Sequence, residues 1–144
     1  MPAPLATTVR SALEAAGIEV YRVEGDEIHV AERVRLHLMD SGIRVHPGPG
    51  ESTTIELTVR AQQSDFSGLH PAELIDRVRA AAGPLAAARG FVEHGSARVE
   101  VTNPLDVTHV LDVWHEVVYR KTLDDPNDLI DDVRWALGLE RYVQ

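Results

Sequence analysis

The sequence predicts an α+β fold, an antiparallel sheet covered by helices, with elements in the order α-β-β-β(-β)-α-β-β-α-α. Three observations carry this. Residues 53–62 alternate without a break, with Ile55, Leu57, Val59 and Ala61 on one face and Glu56, Thr58, Arg60 and Gln62 on the other. One apolar and one polar face belong to an antiparallel sheet with a wet side. Apolar residues recur at helical spacing near the N-terminus and through the second half. Three second-half segments also open with one grammar: a cap residue, proline at the first helical position and an acid two residues later.

The elements follow in order. Residues 4–16 predict a helix: Pro4 suits its first turn, Leu5, Val9, Ala12, Leu13 and Ala16 share a face, and Gly17 fits the left-handed cap. Residues 18–23 alternate, Glu24-Gly25-Asp26 reads as a tight turn, and residues 27–30 form the next strand. Residues 33–38 alternate, with Val34, Leu36 and Leu38 opposite Arg33, Arg35 and His37; Asp40-Ser41-Gly42 then turns the chain into Ile43–Val45. Residues 46–50 read as a loop, residues 53–62 as the strongest strand, and Phe66 tucks back from a second loop.

A helix starts at Pro71, its inner face Leu74, Ile75, Val78, Ala81 and Ala82, interrupted at Gly83-Pro84 and resumed to Arg89. Residues 91–92 and 97–102 read as a hairpin closed around residues 93–96. Two helices complete the order, over about 104–120 and 126–137. In the first, 100° spacing gathers Val107, Val110, Leu111, Trp114, Val117 and Val118 on one side, which places Trp114 in the core. No internal repeat or linker interrupts the chain, and residues 1–144 read as a single domain.

Composition excludes several function classes. The chain has 44% hydrophobic and 26% charged residues, as an ordinary globular protein does. Its cysteine count is zero, which excludes a disulfide framework, a zinc-thiolate site and a thiol nucleophile, and fits a cytoplasmic setting. No charged segment followed by an apolar run opens the chain, so no signal peptide is expected. No stretch approaches the ~18 apolar residues of a membrane span. A net charge of −9 opposes nucleic-acid binding, which needs a basic footprint.

Asp124-Asp125-Pro126-Asn127-Asp128 matches DDxxD, the magnesium-holding pattern of diphosphate chemistry. Its grammar, however, is that of His70-Pro71-Ala72-Glu73 and Asn103-Pro104-Leu105-Asp106. Asp125 caps, Pro126 opens the helix where an amide has no partner, and Asp128 meets the positive end of the dipole. The stretch is read as a helix cap, with no metal. Asp131 and Asp132 fall on the polar side of this helix, and Trp135 projects among them, away from Leu129, Ile130, Val133, Ala136 and Leu137. Trp135, Asp131 and Asp132 are the expected partner-binding residues; the alternatives are that the tail over residues 139–143 folds back over Trp135 and that the two acids form a solvated face.

No catalytic motif is found: no GxSxG, no HExxH, no phosphate loop. If any residues held a metal, they would be His109, Asp112 and Glu116, spaced by three and four on one helix face. The expectation is no catalytic residue, no metal and no cofactor.

The order of helix, three or four strands, helix, two-stranded hairpin and helix resembles the type III secretion chaperone-like fold, also seen in YbjN-like regulators. The resemblance spans nearly the whole chain and rests on element order. It implies an antiparallel sheet covered by helices, a protein partner bound through an unfolded segment, and self-association as a homodimer. A small cytoplasmic adaptor or chaperone-like binding module without catalysis is therefore the favoured expectation. Two others stand beside it: an immunity or antitoxin-like inhibitor using the Asp124–Asp132 cluster against a basic site, and an enzyme or metal-binding protein of unrecognised type.

Overall fold

The computed structural model describes residues 5–48, 52–125 and 127–144. Pro4, Pro49, Gly50 and Pro126, expected above in first turns and a loop, lie outside these residues, as does the side chain of Leu5. The fold is α+β. Its elements are α1 (Leu5–Ala15), β1 (Val20–Glu24), β2 (Glu27–Val34), β3 (His37–Pro47), β4 (Thr53–Gln62), a 3-10 turn (Gln63–Asp65), α2 (Pro71–Ala88), β5 (Val92–Asn103), β6 (Asp106–Leu123), α3 (Asn127–Gly138) and β7 (Tyr142–Val143). The strands form one antiparallel sheet in the order β1-β2-β3-β4-β6-β5, and the short β7 joins β4 in parallel. Backbone contacts group the chain into two compact units, Met1–Leu57 with Arg120–Leu139 and Thr58–Tyr119 with Glu140–Gln144.

In the first unit α1 ends as the sequence predicts. Gly17 takes φ +81°, and the amides of Gly17 and Ile18 reach back to the Glu14 and Leu13 carbonyls at 3.0 Å each. Leu13 and Ile18 are both buried there, the apolar contact that accompanies a left-handed cap. Ile28, Val30, Ile43, Val45, Ile55 and Leu57 supply the buried face of the strands, and Leu129 and Val133 that of α3.

Two turn assignments are corrected here. The β2–β3 hairpin closes at Arg35-Leu36, between the partners Val34 and His37, so residues 33–38 are not one strand. Asp40-Ser41-Gly42 is not a turn but a bulge inside β3, where the register passes from Val30↔Ile43 to Ala31↔Asp40. The same residue chemistry serves both structures. Gly42 supplies φ +77°, Asp40 Oδ1 accepts the Gly42 amide at 2.9 Å, and Ser41 Oγ donates to the Val30 carbonyl at 2.6 Å.

In the second unit β4 continues with Val59 and Ala61 buried, and Arg60 and Ala61 pair with Tyr142 and Val143 of β7. Helix α2 buries Leu74, Val78, Ala82 and Ala86 and stays helical through Pro84. Of its expected inner face, Ile75 is half-buried and Ala81 exposed.

The largest correction concerns residues 91–123. The expected helix over 104–120 is strand β6, and the expected hairpin within 91–102 is the single strand β5. Asn103-Pro104-Leu105-Asp106, which shares the helix-start grammar, is the hairpin turn between them. Asn103 Oδ1 accepts the Leu105 amide at 2.9 Å, and Asp106 Oδ1 accepts the Thr108 amide at 3.1 Å and its hydroxyl at 2.6 Å. An aspartate or asparagine before proline satisfies a free amide equally well in a turn or at a helix start. The β-branched run Val107, Thr108, Val110, Val113, Val117, Val118 and Thr122 then prevails over the helical spacing.

Candidate functional site

Within the first unit, the sheet face that turns away from the apolar core carries a ladder of paired charges. Strand alternation puts Glu27 and His29 of β2 on it, beside Arg44 and His46 of β3 and Glu56 of β4. Glu27 Oε1 accepts from Arg44 Nη1 at 2.6 Å and lies 2.8 Å from His29 Nε2. Arg22 Nε on β1 donates to His29 Nδ1 at 3.2 Å. Arg44 Nη1 also lies 3.3 Å from His29 Nε2, so each ring nitrogen meets a guanidinium and Nε2 meets the Glu27 carboxylate as well. Glu56 Oε2 takes both Nε and Nη2 of Arg120, at 2.8 and 2.7 Å. His46 stands between the two acids, 3.9 Å from Glu27 and 3.6 Å from Glu56.

The electrostatics are mutually supporting. Burial alone would raise the Glu27 carboxyl, but the hydrogen bond and charge of Arg44, with His46 and His29 nearby, hold it below its ordinary value. Burial likewise opposes the charge on Arg44, and Glu27, Asp40 and Glu56 more than restore it. His29 is fully buried, and both of its ring nitrogens are engaged by neighbouring charged side chains, so neither faces a substrate. The ladder fixes strand register and offers a patterned, charged surface.

The second feature is the β5–β6 arm. Most of β5 and the first six residues of β6 are exposed on both faces. Val92 (70%), Leu105 (96%), Val107 (73%) and Leu111 (55%) leave most of their surface in water. Isolated two-stranded ribbons are marginally stable in water, so an arm holding apolar side chains outward is an unusual use of sequence. Periodicity read as helical hid it, because the same valines suit either structure.

The residues singled out from sequence are dispersed. In β6, alternation puts His109 on the opposite face from Asp112 and Glu116. Asp112 anchors the 3-10 turn instead: it accepts the Ser64 amide at 3.1 Å, the Ser64 hydroxyl at 2.8 Å and the Val113 amide at 2.8 Å. Glu116 pairs with Arg60 at 2.8 Å. Among the described residues, no group of three or more histidine, aspartate or glutamate side chains is placed to hold a metal ion. Trp114 is not core. It is half-buried, with the Arg60 guanidinium 4.4 Å from its ring centroid and 5.5 Å from that of Tyr142.

On α3, Asp125 Oδ1 accepts the Asn127 amide at 2.9 Å, the capping bond expected of it. Asp131 is exposed and Trp135 half-buried, whereas Asp132 is buried and lies 2.8 Å from Lys121 Nζ. The expected acidic face thus loses Asp132, which the helix turns inward. The charge ladder itself was not singled out from sequence. The signal was present in the polar positions of β2, β3 and β4, but the register that makes them neighbours, His29↔Arg44 and Arg44↔Glu56, is set between strands.

No helix among the described residues is long and apolar enough to cross a membrane. Comparison with protein-family models, with curated proteins and with solved structures finds no match.

Proposed function

We propose that the protein is a small cytoplasmic adaptor of chaperone-like type, which holds an unfolded segment of a protein partner and performs no catalysis. The observation that supports this reading is the β5–β6 arm. Val107 and Leu111 share one face of β6, Leu105 stands in the hairpin turn and Val92 opens β5, and all four leave most of their apolar surface in water. Exposed apolar surface of this kind commonly marks a site where a partner docks. The zero cysteine count agrees with a reducing compartment.

The test is aggregation of a chemically unfolded reporter enzyme, followed by light scattering. Equimolar protein should slow it, and Val107→Asp combined with Leu111→Asp should abolish the protection while circular dichroism and melting temperature hold. Wild-type protein that gives no protection, or an arm variant that protects equally well, refutes the reading.

A further inference from the structure

The sheet ends on β5, and among the described residues no strand pairs with its outer side. A twelve-residue edge strand is long for an unprotected edge. Natural proteins normally shorten, bulge or cover such an edge, because its free amides and carbonyls template another strand. The sequence of β5 also constrains what can pair with it. Arg98 and Glu100 lie two apart on one strand face, and Arg98 Nη1 donates to Glu100 Oε1 at 2.7 Å.

We propose that β5 pairs with β5 of a second copy of this chain, antiparallel, about a two-fold axis passing at Val99. A two-fold axis normal to the sheet keeps each residue on its own face, so residues directly opposite have even number sums. With the axis at Val99, Arg98 stands opposite the second copy's Glu100 and Glu100 opposite its Arg98. The four side chains then form an alternating quartet, each within reach of two opposite charges. Moving the axis by one residue sets Arg98 against Arg98 or Glu100 against Glu100, and opposed like charges destabilise a strand pair. Ala97 meets Val101, Ser96 meets Thr102, and Gly95 meets Asn103 at the end of the ladder. Glu93 falls outside it and keeps its ion pair with Arg79 at 2.9 Å. The pairing uses the outer edge of β5 and stands whether or not the arm holds a client.

Two measurements test this. By sedimentation equilibrium the wild type should weigh twice its 15.8 kDa chain mass. Arg98→Glu alone or Glu100→Arg alone should weaken association at least tenfold, and the double swap should restore it. Mixing the two single variants should yield a one-to-one heterodimer, since each then supplies the charges the other lacks. The chain has no cysteine of its own, so Val99→Cys gives a clean reporter. The introduced thiols should oxidise to a disulfide-linked dimer, because the axis places them directly opposite. Ala97→Cys, offset across the pair, should cross-link far less. Single charge variants that associate like the wild type overturn the proposal, as does equal cross-linking at both positions. A wild type that stays monomeric to millimolar concentration while still protecting an unfolding client also overturns it, and assigns the edge to a foreign strand.

Discussion

Lys121 Nζ lies 2.8 Å from Asp132 Oδ2, which joins the chain's only lysine to an aspartate 2% exposed on α3. A buried carboxylate with a cation beside it tolerates its burial; deprived of that partner, the remaining charge is left poorly solvated. Lys121→Met, which leaves the buried Asp132 carboxylate without this cation, should therefore cost about 3 kcal/mol, in the range for breaking a buried pair. Asp131, one residue before Asp132 and exposed, should change stability by less than about 0.5 kcal/mol when replaced by alanine. Urea unfolding of the two variants separates them. Equal midpoints would mean that the pair contributes nothing and that α3 does not present Asp132 inward.

His115 should make stability fall with acid. Gln63 Nε2 donates to the Phe66 and Leu69 carbonyls, so its Oε1 is left to accept from His115 Nε2 at 3.0 Å. Burial, then the nearby charge of Arg98, hold the imidazole below its ordinary value of 6.5, against a smaller opposing pull from Asp112. The folded state thus binds its proton later than the unfolded chain does. This contribution is fully present above about pH 6.5 and is lost as the pH falls below it. One group can contribute no more than about 1.4 kcal/mol per pH unit. His115→Gln keeps a donor for Gln63 but cannot be charged, so its stability should decline less between neutral and mildly acidic pH. Parallel curves for variant and wild type would remove His115 from the account.

How much of this was legible in the sequence differs by element. β4 was legible because its alternation is unbroken and one face is wholly buried, with Ile55, Leu57, Val59 and Ala61 all without exposure. The cap of α1 at Gly17 was legible because the whole device is local. β6 was not. Its exposed first half lacks a buried face, so the alternation that marks a strand is absent there, and Val107, Val110, Leu111 and Trp114 fall by chance at helical spacing. The charge ladder needed register, which no single strand contains. Glu27 finds Arg44 seventeen residues on, and Glu56 finds Arg120 sixty-four residues on.

Arg35 marks a place where the fold accepts local strain. It occupies the two-residue turn between Val34 and His37 with φ +59°, a conformation that suits glycine and costs a side-chain-bearing residue roughly 1–2 kcal/mol. Its side chain is exposed. Arg35→Gly should raise stability by about 0.5–1 kcal/mol, since the relief of strain exceeds the added freedom of the unfolded chain. Arg35→Val, branched at Cβ, should lower it. Thermal melts check both; a glycine variant less stable than the wild type would show that the arginine stabilises the turn in another way.

Asp125 decides between the two readings that the aspartate-rich stretch invites. Its Oδ1 accepts the Asn127 amide at 2.9 Å, and its carbonyl accepts the Asp128 amide at 3.2 Å. Amides in the first turn of a helix have no partner within it, so one carboxylate oxygen satisfies a group that water alone would otherwise meet. Asp125→Ala should cost about 1 kcal/mol. Asp125→Asn and Asp125→Ser should recover most of that, because an amide or hydroxyl oxygen can accept the same bond. A magnesium site would behave in the opposite way. Asparagine and serine would then fail much as alanine does, since a hard cation needs the charge of the carboxylate. Magnesium would also raise the melting temperature of the wild type and not that of the variants. Thermal melts of the four proteins, each with magnesium and with chelator, separate the cases. The capping geometry requires wild-type melting to be indifferent to magnesium and the asparagine and serine variants to melt close to it. A wild type stabilised by magnesium, with that gain abolished in Asp125→Asn, would make the carboxylate a ligand and not a cap.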